Sequence, residues 1–436
     1  MDKHLNQPRL QGTLRAPSSK SEAHRALIDA ALSYLYSQTA DPIRVRCTDM
    51  NRDIDATVDC LCALGADIKR DGDFLVVSPI ASLPEAPHLY CAESGSTLRF
   101  LLPVCCALGA LEQAPHGFTV YLHMEGRLPE RPLSPLYEEL VAHGAVMSPI
   151  GSNPLAVSGK LTSGDYTLDG GVSSQFISGL LFALPLLKEN STLRVTGKVE
   201  SEPYIHMTQK ALLSVIRDMD CDFPRFYGIK GCDHRSSVVA PMEFDVCGDW
   251  SGAAFFLTAG VLNPHGSVTV TGLDQDSPQG DKAIVEVLRR MGGEILTNTD
   301  GSLTARPSRL HGVEINATQI PDLVPILSVA ASVAEGETVI AGASRLRLKE
   351  SDRLKTVSDM ISALGGDITE TADGLIIRGV SRLAGGVVDS AGDHRIAMSG
   401  AVASLVCNGP VTVAGAEAVA KSYPTFWDEF KKITTV

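Results

Sequence analysis

Strongly apolar runs recur along this chain at a nearly constant interval. Six of them, each introduced by a polar and often charged segment, begin at Lys20 (KSEAHRALIDAAL), Ser94 (SGSTLRFLLPVCCAL), Ser173 (SSQFISGLLFALPLL), Asp249 (DWSGAAFFLTAGVL), Asp322 (DLVPILSVAASVA) and Asp393 (DHRIAMSGAVASLV). Successive starts lie 71–79 residues apart, so six similar units account for the whole chain. A helix that is apolar on every side is a buried one, and these six are expected to form the interiors.

A second element has the same period: an amphipathic helix closed by a turn residue and followed by a strand. It ends near Gly65, Gly144, Gly292 and Gly365, with a degenerate copy ending near Asp220. Glycine there supplies the left-handed backbone that stops a helix. The segments FLVVSP, LAVSG, SVVAP (237–241), LTARP and LIIRG then read as half-buried strands. The sixth copy is split: YPTFWDEFKKI gives the helix, and its strand is expected from around Arg9 to Leu14. Both termini then belong to one domain. The chain, at 436 residues too long for one ordinary core, divides into 1–18 with 243–436 and 19–242, three units each. The fold class is α/β.

The first turn of a helix presents unpaired N–H groups and a positive dipole end, so several such termini facing one cleft make an anion site. Here those termini carry Lys20, Ser21, Ser96, Thr97, Ser173, Ser174, Gln175, His394 and Arg395, with Arg25 and Arg99 a turn further in. Capping accounts for Ser and Asp at such places, but Lys, Arg, His and Gln are not capping residues. Two further stretches concentrate charge. GRLPERP holds Arg127 and Arg131 beside prolines, and RLRLKESDRLKT runs from Arg345 to Thr356. The second is either a solvated helix face or a cleft wall.

The net charge of −13 argues against a nucleic-acid binder and makes these local cation clusters stand out. No phosphate-binding loop, dinucleotide fingerprint, nucleophile elbow or zinc motif occurs, so neither metal nor redox cofactor is expected. The ten cysteines show no metal or disulfide spacing, and no signal-like or membrane-spanning segment is seen. The expectation is a cytoplasmic monomer acting on small anionic molecules, with no membrane or nucleic-acid partner.

Nine segments occur in order between residues 17 and 424: PSSKSEAHRAL, ESGSTLRFL, GRLPERP, SSQF, SEPY, IPDLVPIL, KESDRL, GDHRIAM and KSYP. Together they resemble the 5-enolpyruvylshikimate-3-phosphate synthases, members of the enolpyruvyl transferase family. The resemblance implies two domains of three βαβαββ units each, with buried helices, as an inside-out α/β barrel and with the active site in the cleft between the domains. It implies transfer of the enolpyruvyl group of phosphoenolpyruvate to shikimate 3-phosphate, with release of phosphate, and a target for glyphosate.

By motif, the resemblance puts Lys20 between the two substrates. Ser21, Arg25, Ser173, Ser174, Ser201 and Lys349 hold shikimate 3-phosphate. Gly95, Arg127, Arg353, Arg395 and Lys421 hold phosphoenolpyruvate, and Gln175 lies near both. Tyr204 is a candidate for lining the cleft. Asp322 and Glu350 form the acid–base pair, supported by His394, and Asp322 also touches the shikimate. Glu93, Phe100 and Arg345 depart from the residues usual in the family. The sister transferases that use UDP-N-acetylglucosamine usually carry a reactive cysteine near the GRLPERP position, whereas no cysteine occurs here between Cys106 and Cys221. An inactive scaffold is the third reading, weighed against by retention of both acids with the full cation set.

Overall fold

Four of the six apolar helices begin where a short polar side chain accepts a hydrogen bond from the first turn. Ser94 takes the amide of Thr97, Ser173 that of Gln175, Asp249 that of Ser251 and Asp393 that of Arg395. In the computed structural model, which describes residues 1–38, 40–216, 219–232 and 242–435, the apolar helices are α1 (Lys20–Ser37), α3 (Gly95–Leu108), α5 (Ser174–Ala183), α7 (Trp250–Leu262), α9 (Val324–Ala331) and α11 (His394–Ala403). Their side chains are buried nearly throughout, as their patterning requires. Asp322 does not cap its helix. It sits in a 3₁₀ turn, Pro321–Leu323, just ahead of α9, which leaves its carboxylate available for other partners.

The amphipathic helices alternate with these: α2 (Arg52–Ala63), α4 (Leu136–Ala142), α6 (Glu202–Val215), α8 (Ile284–Arg290), α10 (Arg353–Ala363) and α12 (Phe426–Lys432). Gly65, Gly144, Gly292 and Gly365 follow four of them with φ between +84° and +111°. The end expected near Asp220 is corrected. Helix α6 stops at Val215, and Asp220 already lies in the strand Met219–Asp222. The segment SVVAP falls outside the described residues, and the last described strand of that unit is Phe226–Ile229.

Each unit builds one small sheet by the same rule. In the second, His88–Tyr90 runs parallel to Val120–His123, which pairs antiparallel with Leu155–Gly159, which in turn pairs antiparallel with Ala145–Met147. The parallel pair needs a crossover, and the apolar helix α3 supplies it. Among the described residues the strands form separate sheets of two to four strands, a mixed α/β arrangement rather than a closed barrel. Among the described residues, the strands of a unit pair mainly with one another.

By its contacts the chain forms two units, Met1–Ser19 with Cys247–Val436 and Lys20–Val246. The second division falls after Val246 because Glu243–Asp245 pairs in parallel with Ile43–Arg46. In the same manner Gly12–Arg15 pairs in parallel with Val268–Thr271. Each division thus follows a strand that remains with the unit being left. The sixth sheet also differs from expectation. Its last strand is Lys3–Leu5, paired with Val411–Ala414, while Arg9–Leu10 pairs with Thr434–Thr435.

Each unit has its own core. In Lys20–Val246, α3 packs on α5 and α1 on α6, with Phe100 edge-on to Phe182. In the other unit α7, α9 and α11 pack on one another, and Phe255 and Phe256 meet Phe426 from the C-terminal helix. Removing a ring such as Phe256, fully buried, would cost about 3–5 kcal/mol. No helix among the described residues is long and apolar enough to cross a membrane.

Candidate active site

The candidate residues fall into two groups, one on each unit. On the unit Lys20–Val246, Lys20 opens α1 and its ammonium meets Asp53, in the first turn of α2, at 2.9 Å. Arg25, one turn along, is nearly inaccessible. It donates to Thr208 Oγ1 (2.8 Å) and to the carbonyls of Ser21 (2.6 Å) and Tyr204 (2.7 Å), and it stacks over Phe100 at 5.0 Å. Burial lowers its pKa to about 10, which still leaves it charged at neutral pH. With a phenyl ring at Phe100, the guanidinium gains a cation–π contact.

The starts of α3 and α5 are joined through a short relay. Arg99 Nη1 donates to Gln175 Oε1 at 2.9 Å, and Gln175 Nε2 donates to Ser96 Oγ at 2.9 Å, which ties the start of α5 to the start of α3. Ser173 and Ser174 lie at the head of α5, and Ser201 stands before α6 with φ +57°. Arg127 is not drawn into either cluster. It is half exposed and faces Glu130 at 3.8 Å.

The second group centres on Arg353, whose side chain is 2% exposed. Its guanidinium meets three carboxylates: Asp322 through Nη1, Glu350 through Nη2 and Asp393 through Nε, each at 2.7 Å. Only a planar fork with several N–H edges can do this from one position. Asp322 is also approached by Arg395 Nη2 at 3.1 Å and by Lys349 Nζ at 3.7 Å, and its carbonyl accepts from Arg395 Nη1. Lys421 Nζ lies 3.9 Å from Glu350 Oε1, and His394 Nδ1 lies 3.8 Å from Asp393 Oδ1.

These charges set the protonation states. Burial pushes the Asp322 carboxyl up, but Arg395, Lys349 and Arg353 outweigh it and hold the group well below the usual carboxylate range. Burial lowers Lys349 to about 8, against the pull of Asp322. Asp281 sits in the same field. Burial first and the charge of Asp322 next push its carboxyl up to about 7, against Arg395 and a hydrogen bond from Ser251.

Several residues of these clusters escape a reading of the sequence. Asp393 is visible as a helix start, and its second role, on Arg353, is not. Asp53 carries no signal beyond a place in the first turn of an amphipathic helix. Asp281 lies in a 3₁₀ turn, Gly280–Ala283, with no periodicity to mark it.

Comparison with known proteins agrees with this architecture. The family model for EPSP synthase (3-phosphoshikimate 1-carboxyvinyltransferase) matches residues 5–430. The chain is 40% identical over 431 residues to a 3-phosphoshikimate 1-carboxyvinyltransferase of Clostridium kluyveri, covering 98% of this chain and 96% of that one. A protein of the same name from Clostridium perfringens is 39% identical, with 98% and 96% covered. Among solved structures, the EPSP synthase of Acinetobacter baumannii aligns with a TM-score of 0.79 at 25% identity, over 99% of this chain and 98% of that one. An enolpyruvyl transferase of Streptomyces tendae shares the fold, with a TM-score of 0.75 at 18% identity over 100% and 97% of the two chains.

Proposed function

The chain belongs to the EPSP synthase family, the 3-phosphoshikimate 1-carboxyvinyltransferases, and on that premise we propose how its residues carry the reaction. The enzyme transfers the enolpyruvyl group of phosphoenolpyruvate to the 5-hydroxyl of shikimate 3-phosphate, with release of phosphate, on the route to chorismate and the aromatic amino acids. The group of residues on each unit serves this one reaction. Lys20, Ser21, Arg25, Ser173, Ser174, Gln175, Ser201, Asp322 and Lys349 hold shikimate 3-phosphate. Lys20, Gly95, Arg127, Gln175, Arg353, Arg395 and Lys421 hold phosphoenolpyruvate.

The observation that carries the reading is the pair of acids fixed by one buried guanidinium, Asp322 and Glu350 on Arg353. Asp322 takes the proton of the 5-hydroxyl as its oxygen attacks C2 of phosphoenolpyruvate. Glu350 delivers a proton to C3, giving a tetrahedral ketal phosphate. Loss of a proton from the new methyl group then re-forms the double bond and expels phosphate.

An Asp322 held far below the usual range is a weak base. Substrate phosphate and carboxylate groups, by engaging Arg395 and Lys349, weaken that hold and raise its proton affinity. Two polyanions are brought together by cations whose attraction, about 4 kcal/mol per pair at 4 Å and an effective dielectric of 20, exceeds its value in water about fourfold. His394 supports the pair from the head of α11.

The reading includes a monomer in the cytoplasm, with small anionic molecules rather than nucleic acid as partners. It is supported by the charge of −13 and by ten cysteines that are all free thiols. Release of inorganic phosphate on mixing the protein with both substrates tests the reaction. No release, or release with UDP-N-acetylglucosamine in place of shikimate 3-phosphate, overturns it.

A further inference from the structure

Arg131 is nine-tenths buried, and its side chain makes no hydrogen bond or ion pair with any described residue. Charged groups so placed are normally compensated, because an ion removed from water without a partner is costly. The guanidinium lies against the start of α3. A Cβ built on Gly95, the first residue of that helix, would come within 2.8 Å of Arg131 Nη1 and 3.2 Å of its Cζ, and within 3.0 Å of Arg99 Nη1. Gly95 has no unusual backbone angle, so glycine is required there for the close approach of these two side chains.

The segment carrying Arg131 is clamped against the same helix start from both sides. Arg99 Nη2 donates to the carbonyl of Pro132 at 3.1 Å. At the other end Gly126 lies against Glu93, whose carboxylate leaves no room for a Cβ at that glycine (2.6 Å). Arg99 faces Gln175 and Pro132, whereas Arg131 points its charge at the helix start and meets nothing there. Three positive features thus converge on one spot: the Arg131 guanidinium, the dipole of a 14-residue helix, and the first amides of that helix, which have no intrahelical acceptor.

We propose that Arg131 is an anion-binding residue of the phosphoenolpyruvate site, supplying a charge to the phosphate or carboxylate that docks at the N-terminus of α3. The proposal rests on the reading of Gly95 as part of that site and adds to it a residue that the motif comparison does not assign. It also gives the glycine a second reason to lack a side chain, since any Cβ displaces the arginine before it reaches a ligand.

The test compares Arg131→Gln and Arg131→Lys with the wild type, measuring both turnover and direct binding by calorimetry. Arg131→Gln should raise the KM for phosphoenolpyruvate by about 10–100-fold, the usual range for a lost charge-assisted hydrogen bond. Binding of shikimate 3-phosphate alone should be unchanged, and Arg131→Lys should recover part of the loss. Equal weakening of both substrates assigns Arg131 a structural role and overturns the proposal. So does an unaltered KM for phosphoenolpyruvate in the folded variant. Titration with phosphoenolpyruvate in the absence of turnover keeps the question separate from the reaction. A wild type that binds it no better than Arg131→Gln contradicts the proposal, even if phosphate release is normal.

Discussion

Arg353 donates from Nε to Asp393 at 2.7 Å, and both side chains are closed off from solvent. The same carboxylate caps α11 through the amide of Arg395. One buried contact therefore fixes both the guanidinium that holds Asp322 and Glu350 and the helix that carries His394 and Arg395. Arg353→Lys keeps the charge but cannot span three carboxylates. We expect it to lower stability by about 3–5 kcal/mol, the scale of a broken buried ion pair. Turnover should also fall, by at least 100-fold. Urea unfolding and phosphate-release kinetics measure the two effects, and wild-type values in both would contradict the arrangement.

Gly95→Ala should fold, because the atoms that a methyl group meets are the ends of the long, flexible side chains of Arg131 and Arg99 rather than backbone. The cost should be about 1–3 kcal/mol, the scale of a modest overpacking. The KM for phosphoenolpyruvate should rise as Arg131 is displaced, and inhibition by glyphosate should weaken more than the KM rises. If the methyl group acts through the arginine, its effect on KM should shrink in an Arg131→Gln background. Additive effects in that double-mutant cycle would place its action elsewhere.

The pH dependence of stability should carry a mark of Asp281. Its carboxyl is pushed up to about 7 by burial and by Asp322 in the folded protein, against about 3.9 in an unfolded chain. Between those values the folded state retains a proton that the unfolded chain has lost, so this group's contribution falls as pH rises from about 4 to 7. Asp281→Asn removes that decline. Its stability relative to wild type should increase by on the order of 2–4 kcal/mol between pH 4 and pH 8. A constant difference across that range would show that the carboxyl is ionised throughout.

The apolar helices could be read from the chain because a segment apolar on all sides has only one place to go. The glycines after α2, α4, α8 and α10 were equally legible, since their left-handed backbone is a local requirement. Strand partners are not local. Nothing in Glu243–Asp245 reveals that it stays with the unit the chain is leaving, nothing in Gly12–Arg15 that it pairs with Val268–Thr271, and nothing in Lys3–Leu5 marks it as the last strand of the sixth sheet. The site divides in the same way. Lys20, Arg25, Asp322 and Glu350 stand out by type and motif. Their surroundings become apparent only once distant segments are folded together: Asp53 on Lys20, Thr208 on Arg25, and Asp393 on the Arg353 that holds Asp322 and Glu350.

We infer that Glu350 exchanges a proton with C3 of phosphoenolpyruvate while Asp322 serves the hydroxyl. Running the reaction in reverse in heavy water tests it most directly, because C3 passes through a methyl group in the tetrahedral intermediate. Wild-type enzyme should place deuterium on the methylene carbon of phosphoenolpyruvate. Glu350→Gln, folded and still binding both substrates, should suppress that incorporation by roughly 10²–10⁴, the contribution of a positioned acid or base. Incorporation at the wild-type rate in a folded Glu350→Gln protein would remove Glu350 from the proton transfer and contradict the account.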